Sequence, residues 1–161
     1  MDEKKFPPRQ VQWFINNAKE AGLRAAYVQV DDPFSHRMLE CYQAYEQQCN
    51  KEGVVDFPEL LLRSYELLSR NAILCQHYRE RFSHILVDEF QDTNRLQYQW
   101  LKLLAGVGTP TVAAVFVVGD DDQSIYAFRG ANTGNMKDFE HDFAISKVIK
   151  LEQNYRSHGN I

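Results

Sequence analysis

The chain has 161 residues, about one average domain, with 44% hydrophobic, 25% charged and 12% aromatic residues, enough apolar material for a buried core. A net charge of -4 excludes a globally basic, histone-like nucleic-acid binder but leaves room for a local basic groove. No apolar run approaches the roughly 18 residues that a membrane crossing needs, and the opening MDEKKFPPRQ lacks the apolar core of a signal peptide, so a cytoplasmic location is expected.

The first half reads as helices. Val11, Phe14, Ile15 and Ala18 recur at helical spacing after Pro7 and Pro8, with Gly22 as the stop. A second helix is predicted from about Ser35 to Asn50, with a stripe of Met38, Cys41, Tyr42, Tyr45 and Cys49. A third starts at Asp56 as N-cap, with Pro58 in its first turn and Glu59 as capping-box partner. Its expected buried stripe is Leu60, Leu61, Tyr65 and Leu68. The cysteines are Cys41, Cys49 and Cys75. They form no CxxC pair, which excludes a zinc ribbon, and Cys41 and Cys49 would lie about 12 Å apart along one helix, too far for a disulfide. A sparse, odd cysteine count fits a reducing compartment.

The composition changes near residues 70–82. Beyond it stand three short apolar runs: 84–87 ending in Asp88-Glu89, 112–118 ending in Gly119-Asp120-Asp121-Asp122, and 147–151 ending in Glu152. A helical stretch lies between the first two, with Leu96, Trp100 and Leu103 on one face and Asp92 or Thr93 as cap. This pattern predicts parallel strands with a crossover helix, a fragment of a three-layer α/β sheet. Residues 104–110 read as a loop; their GxG is followed by no Lys-Ser/Thr, so it is no phosphate loop.

Ligands of open α/β sheets bind outside the carboxyl ends of strands, so the polar residues there are the first candidates. Asp88 and Glu89 could divide the work of nucleotide hydrolysis, one holding magnesium and the other orienting water; the alternative is a pair of exposed acids. Asp120, Asp121 and Asp122 are either metal ligands or, as favoured for the last two, turn and capping residues. Gln123 could donate to a phosphate oxygen and accept from water. Tyr126 and Phe128 followed by Arg129 could form a stacking platform for bases; read alone, two core aromatics and a surface arginine are the commoner outcome. Tyr155 offers a flat face for a purine and Arg156 a planar cation for a phosphate.

Taken together, ILVDEFQDTNRLQYQW, VVGDDDQSIYAFRGA and KLEQNYRS resemble motifs II, III and IV of the superfamily-one UvrD/Rep/PcrA-type DNA helicases, in order and with fitting spacing. FPPRQVQWFINNAKEAG and VVDFPELL resemble parts of that family's helical domain 1B and its return to domain 1A. The resemblance implies an α/β chain, a partial RecA-like parallel sheet of the P-loop NTPase class preceded by a helical 1B-like subdomain. It divides as 1–70 (1B-like), 71–150 (the C-terminal part of domain 1A) and 151–161 (the start of domain 2A). It implies ATP and Mg2+ as cofactors, with Asp88 as the magnesium-associated carboxylate and Glu89 as the base that polarises water. Gln123 would sense the γ-phosphate. Tyr126 and Phe128 would stack on single-stranded DNA beside Arg129. Tyr155 would stack on adenine, and Arg156 would touch the γ-phosphate. Many members carry tryptophan where Phe128 stands; phenylalanine keeps a stacking face of smaller area.

The sequence contains no G-x-x-x-x-G-K-[ST] string. The expectation is therefore a segment of a longer ATP-driven 3′-5′ helicase acting on single-stranded DNA and single-strand/duplex junctions, the segment alone being inactive. A nuclease-linked AddA/RecB-type relative and a non-catalytic DNA- or partner-binding segment are the alternative readings. A metal phosphoesterase built on the Asp cluster would need ligands converging from several strands. An incomplete sheet also leads us to expect self-association through an exposed edge.

Overall fold

The computed structural model describes residues 6–120, 134–145 and 147–153. Helix α1 (Pro8–Glu20) begins with Pro8 in its first turn, where a missing N–H costs nothing. Helix α2 (Pro33–Glu52) is capped by Asp32, whose carboxylate accepts from the Phe34 and Ser35 amides at 3.0 and 2.9 Å, and it stops at Gly53 in the left-handed region. Helix α3 (Phe57–Arg70) is capped by Asp56 through the Glu59 amide at 2.7 Å. Helix α4 (Ala72–Arg81) follows with no loop: Asn71 ends α3 and also caps α4 by accepting from the Leu74 amide at 2.9 Å.

Ile15, Ala18, Ala25 and Tyr42 form the core of this helical layer, with Val11, Phe14, Val28, Leu39 and Tyr45 around them. The Tyr42 hydroxyl donates to the Leu23 carbonyl at 3.0 Å, so the buried ring carries no unsatisfied polar group. Beside this core lies a buried ionic cluster. Lys19, only 2% exposed, reaches Asp56 at 2.8 Å and Glu59 at 3.0 Å. Arg24 bonds Glu59 at 2.6 Å and grips both carboxylate oxygens of Glu66 at 2.9 and 2.7 Å.

Strands β1 (His84–Val87) and β2 (Ala114–Val117) pair in parallel, His84 opposite Ala114 and Val87 opposite Val117. A parallel pair needs a crossover, and helix α5 (Arg95–Ala105) supplies it. Asn94 and Gln97 form a reciprocal capping box at its start, both bonds 2.8 Å. Gly106 ends it at φ +79°, where a Cβ would sit 2.7 Å from the Thr111 carbonyl. One face of the sheet (Ile85, Val87, Val115, Val117) packs on Phe90, Tyr98, Leu101 and Phe139, the last from helix α6 (Asn135–Asp142). On the opposite face Leu86 is 77% and Phe116 59% exposed. Helix α5 also meets α1, α3 and α4, and Trp100 Nε1 donates to Ser64 Oγ of α3 at 2.9 Å.

The chain is thus mostly helical with a small parallel sheet. Several sequence expectations need correction. The run 147–151 forms no strand; Val148, Ile149 and Leu151 are exposed, because an apolar run becomes a strand only where a neighbour takes its backbone hydrogen bonds. The buried apolar residue of α3 beside Leu68 is Leu62, while Leu60 faces outward. Glu59 completes no capping box, since its carboxylate is taken by Lys19, Arg24 and Arg63. Asn94, rather than Asp92 or Thr93, caps α5, and that helix runs on to Ala105. All three cysteines are free. Among the described residues no helix is long and apolar enough to cross a membrane.

Candidate functional site

Because β1 and β2 run parallel, their carboxyl ends share one edge, and Asp88-Glu89 and Gly119-Asp120 emerge there side by side. Backbone bonds fasten the two exits together: the Val118 amide donates to the Val87 carbonyl at 2.8 Å and the Phe90 amide to the Val118 carbonyl at 2.9 Å. Glu89 stands at φ 51°, ψ 43°, in the left-handed region that costs a residue with a Cβ about 1–2 kcal/mol. That reversal turns the chain from β1 into a 3-10 turn, Phe90–Asp92. Phe90, 1% exposed, anchors the turn against Tyr98 and Phe139, with ring centroids 6.1 and 5.4 Å away.

The anchor leaves both acids at the surface. Asp88 and Glu89 are exposed, and Asp88 Oδ1 accepts from the Glu89 amide at 2.9 Å. Gln91 turns inward, 6% exposed, and bridges the two strand exits. Its Nε2 donates to Glu89 Oε2 at 2.6 Å, and its Oε1 accepts from the Asp120 amide at 3.0 Å. Gly119 makes room for it: a Cβ there would lie 2.8 Å from Gln91 Oε1. Asp92, for which helix capping was the default, instead closes the turn; its Oδ1 is buried and has no hydrogen-bond partner among the described residues. Asn135 at the start of α6 donates to the Thr93 carbonyl at 2.7 Å, tying that helix to the same turn.

Of the residues singled out from sequence, Asp88, Glu89 and Asp120 therefore share one edge. Asp121, Asp122, Gln123, Tyr126, Phe128, Arg129, Tyr155 and Arg156 lie outside the described residues. Sequence reasoning missed Gln91. Its only signal is an amide two residues beyond a strand-end acid, and nothing in that spacing says that its side chain is buried.

Among the described residues no group of three or more His, Cys, Asp or Glu converges as a metal site. Magnesium does not require one, since it keeps several waters and is commonly held by one or two carboxylates plus substrate phosphates. The exposed Asp88 carboxylate fits that mode of binding.

Residues 1–144 match the family model described as the UvrD/REP helicase N-terminal domain. The chain belongs to this helicase family. Across its whole length it is 51% identical to DNA helicase II of Escherichia coli K12, over 162 residues that make up 22% of that protein. It is 41% identical to a probable DNA helicase II homolog of Rickettsia conorii, over 98% of this chain and 24% of that protein. It is 38% identical to the ATP-dependent DNA helicase UvrD1 of Mycobacterium bovis, over the whole chain and 22% of that protein. The chain thus spans about a fifth to a quarter of the length of these relatives.

Proposed function

We propose that this chain forms part of an ATP-driven DNA helicase of the P-loop NTPase class that moves 3′ to 5′ on single-stranded DNA and opens single-strand/duplex junctions. The observation that carries this reading is the pair of exposed carboxylates, Asp88 and Glu89, on the shared edge of two parallel strands in a chain of the UvrD/REP family. The relatives named DNA helicase II and ATP-dependent DNA helicase UvrD1 support it. In the same reading residues 1–70 are 1B-like, 71–150 belong to a RecA-like domain 1A and 151–161 open domain 2A, in a cytoplasmic protein.

Within this chain, Asp88 would hold magnesium, and Glu89 would accept a proton from the attacking water. Bound ATP supplies the phosphoryl bond whose cleavage drives movement. The left-handed turn keeps the Glu89 carboxylate at the open edge, where water can reach it. Gln123 and Arg156 would contact the γ-phosphate and Tyr155 the adenine, while Tyr126, Phe128 and Arg129 would bind single-stranded DNA. Without a G-x-x-x-x-G-K-[ST] string, the 161-residue chain by itself would not hydrolyse ATP, and its bare sheet face would favour self-association.

Substitution of Glu89→Gln in a full-length helicase carrying these residues tests the reading. Loss of a positioned general base should lower DNA-stimulated ATP turnover by about 10²- to 10⁴-fold. Unchanged turnover would overturn the assignment. Magnesium-dependent turnover by the pure 161-residue chain would overturn the proposed dependence on a P-loop.

A further inference from the structure

We propose that Gln91 is a positioning residue that aims the Glu89 carboxylate and links it to the exit of β2; the inference rests on the hydrolytic role given above to Glu89. Three observations meet in one side chain. Gln91 is buried although it is polar on both ends. Each end has a partner of fixed chemistry: a carboxylate that only accepts, at 2.6 Å, and a backbone N–H that only donates, at 3.0 Å. The amide therefore has one sensible orientation, because flipping it would set oxygen against oxygen and N–H against N–H. Finally, the chain of β2 passes close enough to touch Gln91 only because residue 119 has no Cβ.

The consequence concerns Glu89. An exposed glutamate has three rotatable side-chain bonds and no preferred direction. Here one short hydrogen bond from a buried donor selects the direction. The donor is in turn held by the Asp120 amide, so the aim of the carboxylate and the course of the chain leaving β2 are set together. A 1 Å error in such an aim can cost about 100-fold in rate. If Gln91 merely filled space, any side chain of equal volume would serve.

Two variants of a full-length helicase separate these roles, with Glu89→Gln measured alongside. Gln91→Leu keeps the volume and removes both polar ends. Gln91→Glu keeps an acceptor for the Asp120 amide but replaces the amide donor with a second carboxyl group set against Glu89. Both should lower kcat about 10- to 100-fold, per mole of nucleotide-binding sites, with KM for nucleotide changed less than about threefold. Amide hydrogen exchange gives a readout apart from turnover. The Asp120 N–H should exchange at least about tenfold faster in Gln91→Leu, and near the wild-type rate in Gln91→Glu and Glu89→Gln. Glu89→Gln without turnover, together with wild-type kcat in Gln91→Leu, would overturn this inference and leave the role of Glu89 standing. Wild-type turnover in Glu89→Gln would overturn both. Unchanged Asp120 exchange in Gln91→Leu would overturn the link to β2.

Discussion

Lys19 Nζ lies 3.0 Å from Glu59 Oε2, and both side chains are buried between α1 and α3. Asp56 joins them from the cap of α3, and Tyr45 of α2 donates its hydroxyl to Asp56 at 2.8 Å. Three helices thus converge on one ionic cluster. Removing Lys19 takes the buried cation from between two carboxylates, leaving Glu59 with Arg24 and Arg63 and Asp56 with the Tyr45 hydroxyl. Because each carboxylate keeps other partners, Lys19→Met should destabilise the protein by about 1–3 kcal/mol, as read by chemical denaturation.

The same cluster sets an acid limit. Burial alone would raise the Glu59 carboxyl, but hydrogen bonds from Arg63, Arg24 and Lys19 hold it down to about 2, against an ordinary 4.5. A lowered carboxylate stabilises the fold fully above its unfolded value and loses that contribution as pH falls through the folded one. Asp56 and Glu66 are shifted the same way. Thermal stability should therefore drop between about pH 4.5 and pH 2. Glu59→Gln should start lower and show a shallower decline over that window in melting curves recorded against pH.

Helix α6 is held to α5 by a second polar contact. The Tyr98 hydroxyl donates to Asp142 Oδ2 at 2.9 Å, and Lys102 Nζ reaches the same oxygen at 2.9 Å. Tyr98→Phe keeps the ring that packs on Phe90 but gives up the hydroxyl. A cost of about 1–2 kcal/mol is expected, with faster exchange of amides in 135–142 measured by hydrogen exchange.

Gly119 provides a probe of the strand exits that leaves both acids in place. A methyl group there must displace Gln91 Oε1, which is buried and bonded. Gly119→Ala should cost about 1–3 kcal/mol and accelerate exchange at the Asp120 amide. A stability equal to wild type would mean that the two exits can move apart freely.

Much of this architecture is legible in the residues. Asp56 before an apolar helical run marks a helix start, and the run 84–87 ending in two acids marks a strand with a polar exit. What local pattern does not encode is which partner a residue meets. Leu60 and Leu62 have the same chemistry, and packing between α3 and its neighbours decides that Leu62 is inside. Helix α4 has weak amphipathicity and gives little periodic signal, yet buried Cys75 and Arg79, which donates to the Leu103 carbonyl at 2.8 Å, fasten it to α5. The run 147–151 has strand composition but pairs with no strand among the described residues. The bridge made by Gln91 joins residues 29 apart in the chain, beyond the reach of any spacing rule.

The shared residue between α3 and α4 bears on how this chain can change in length. Asn71 is both an ending and a beginning, so nothing at that elbow can absorb an added residue. One insertion within the first turn of α4 would rotate the rest of the helix by about 100°. Cys75 would swing out of its pocket, and Arg79 would leave the Leu103 carbonyl. The join between α3 and α4 is therefore a fixed-length coupling, and variation in length belongs elsewhere, at open turns such as the one around Gly53, where a Cβ would meet nothing within 4 Å.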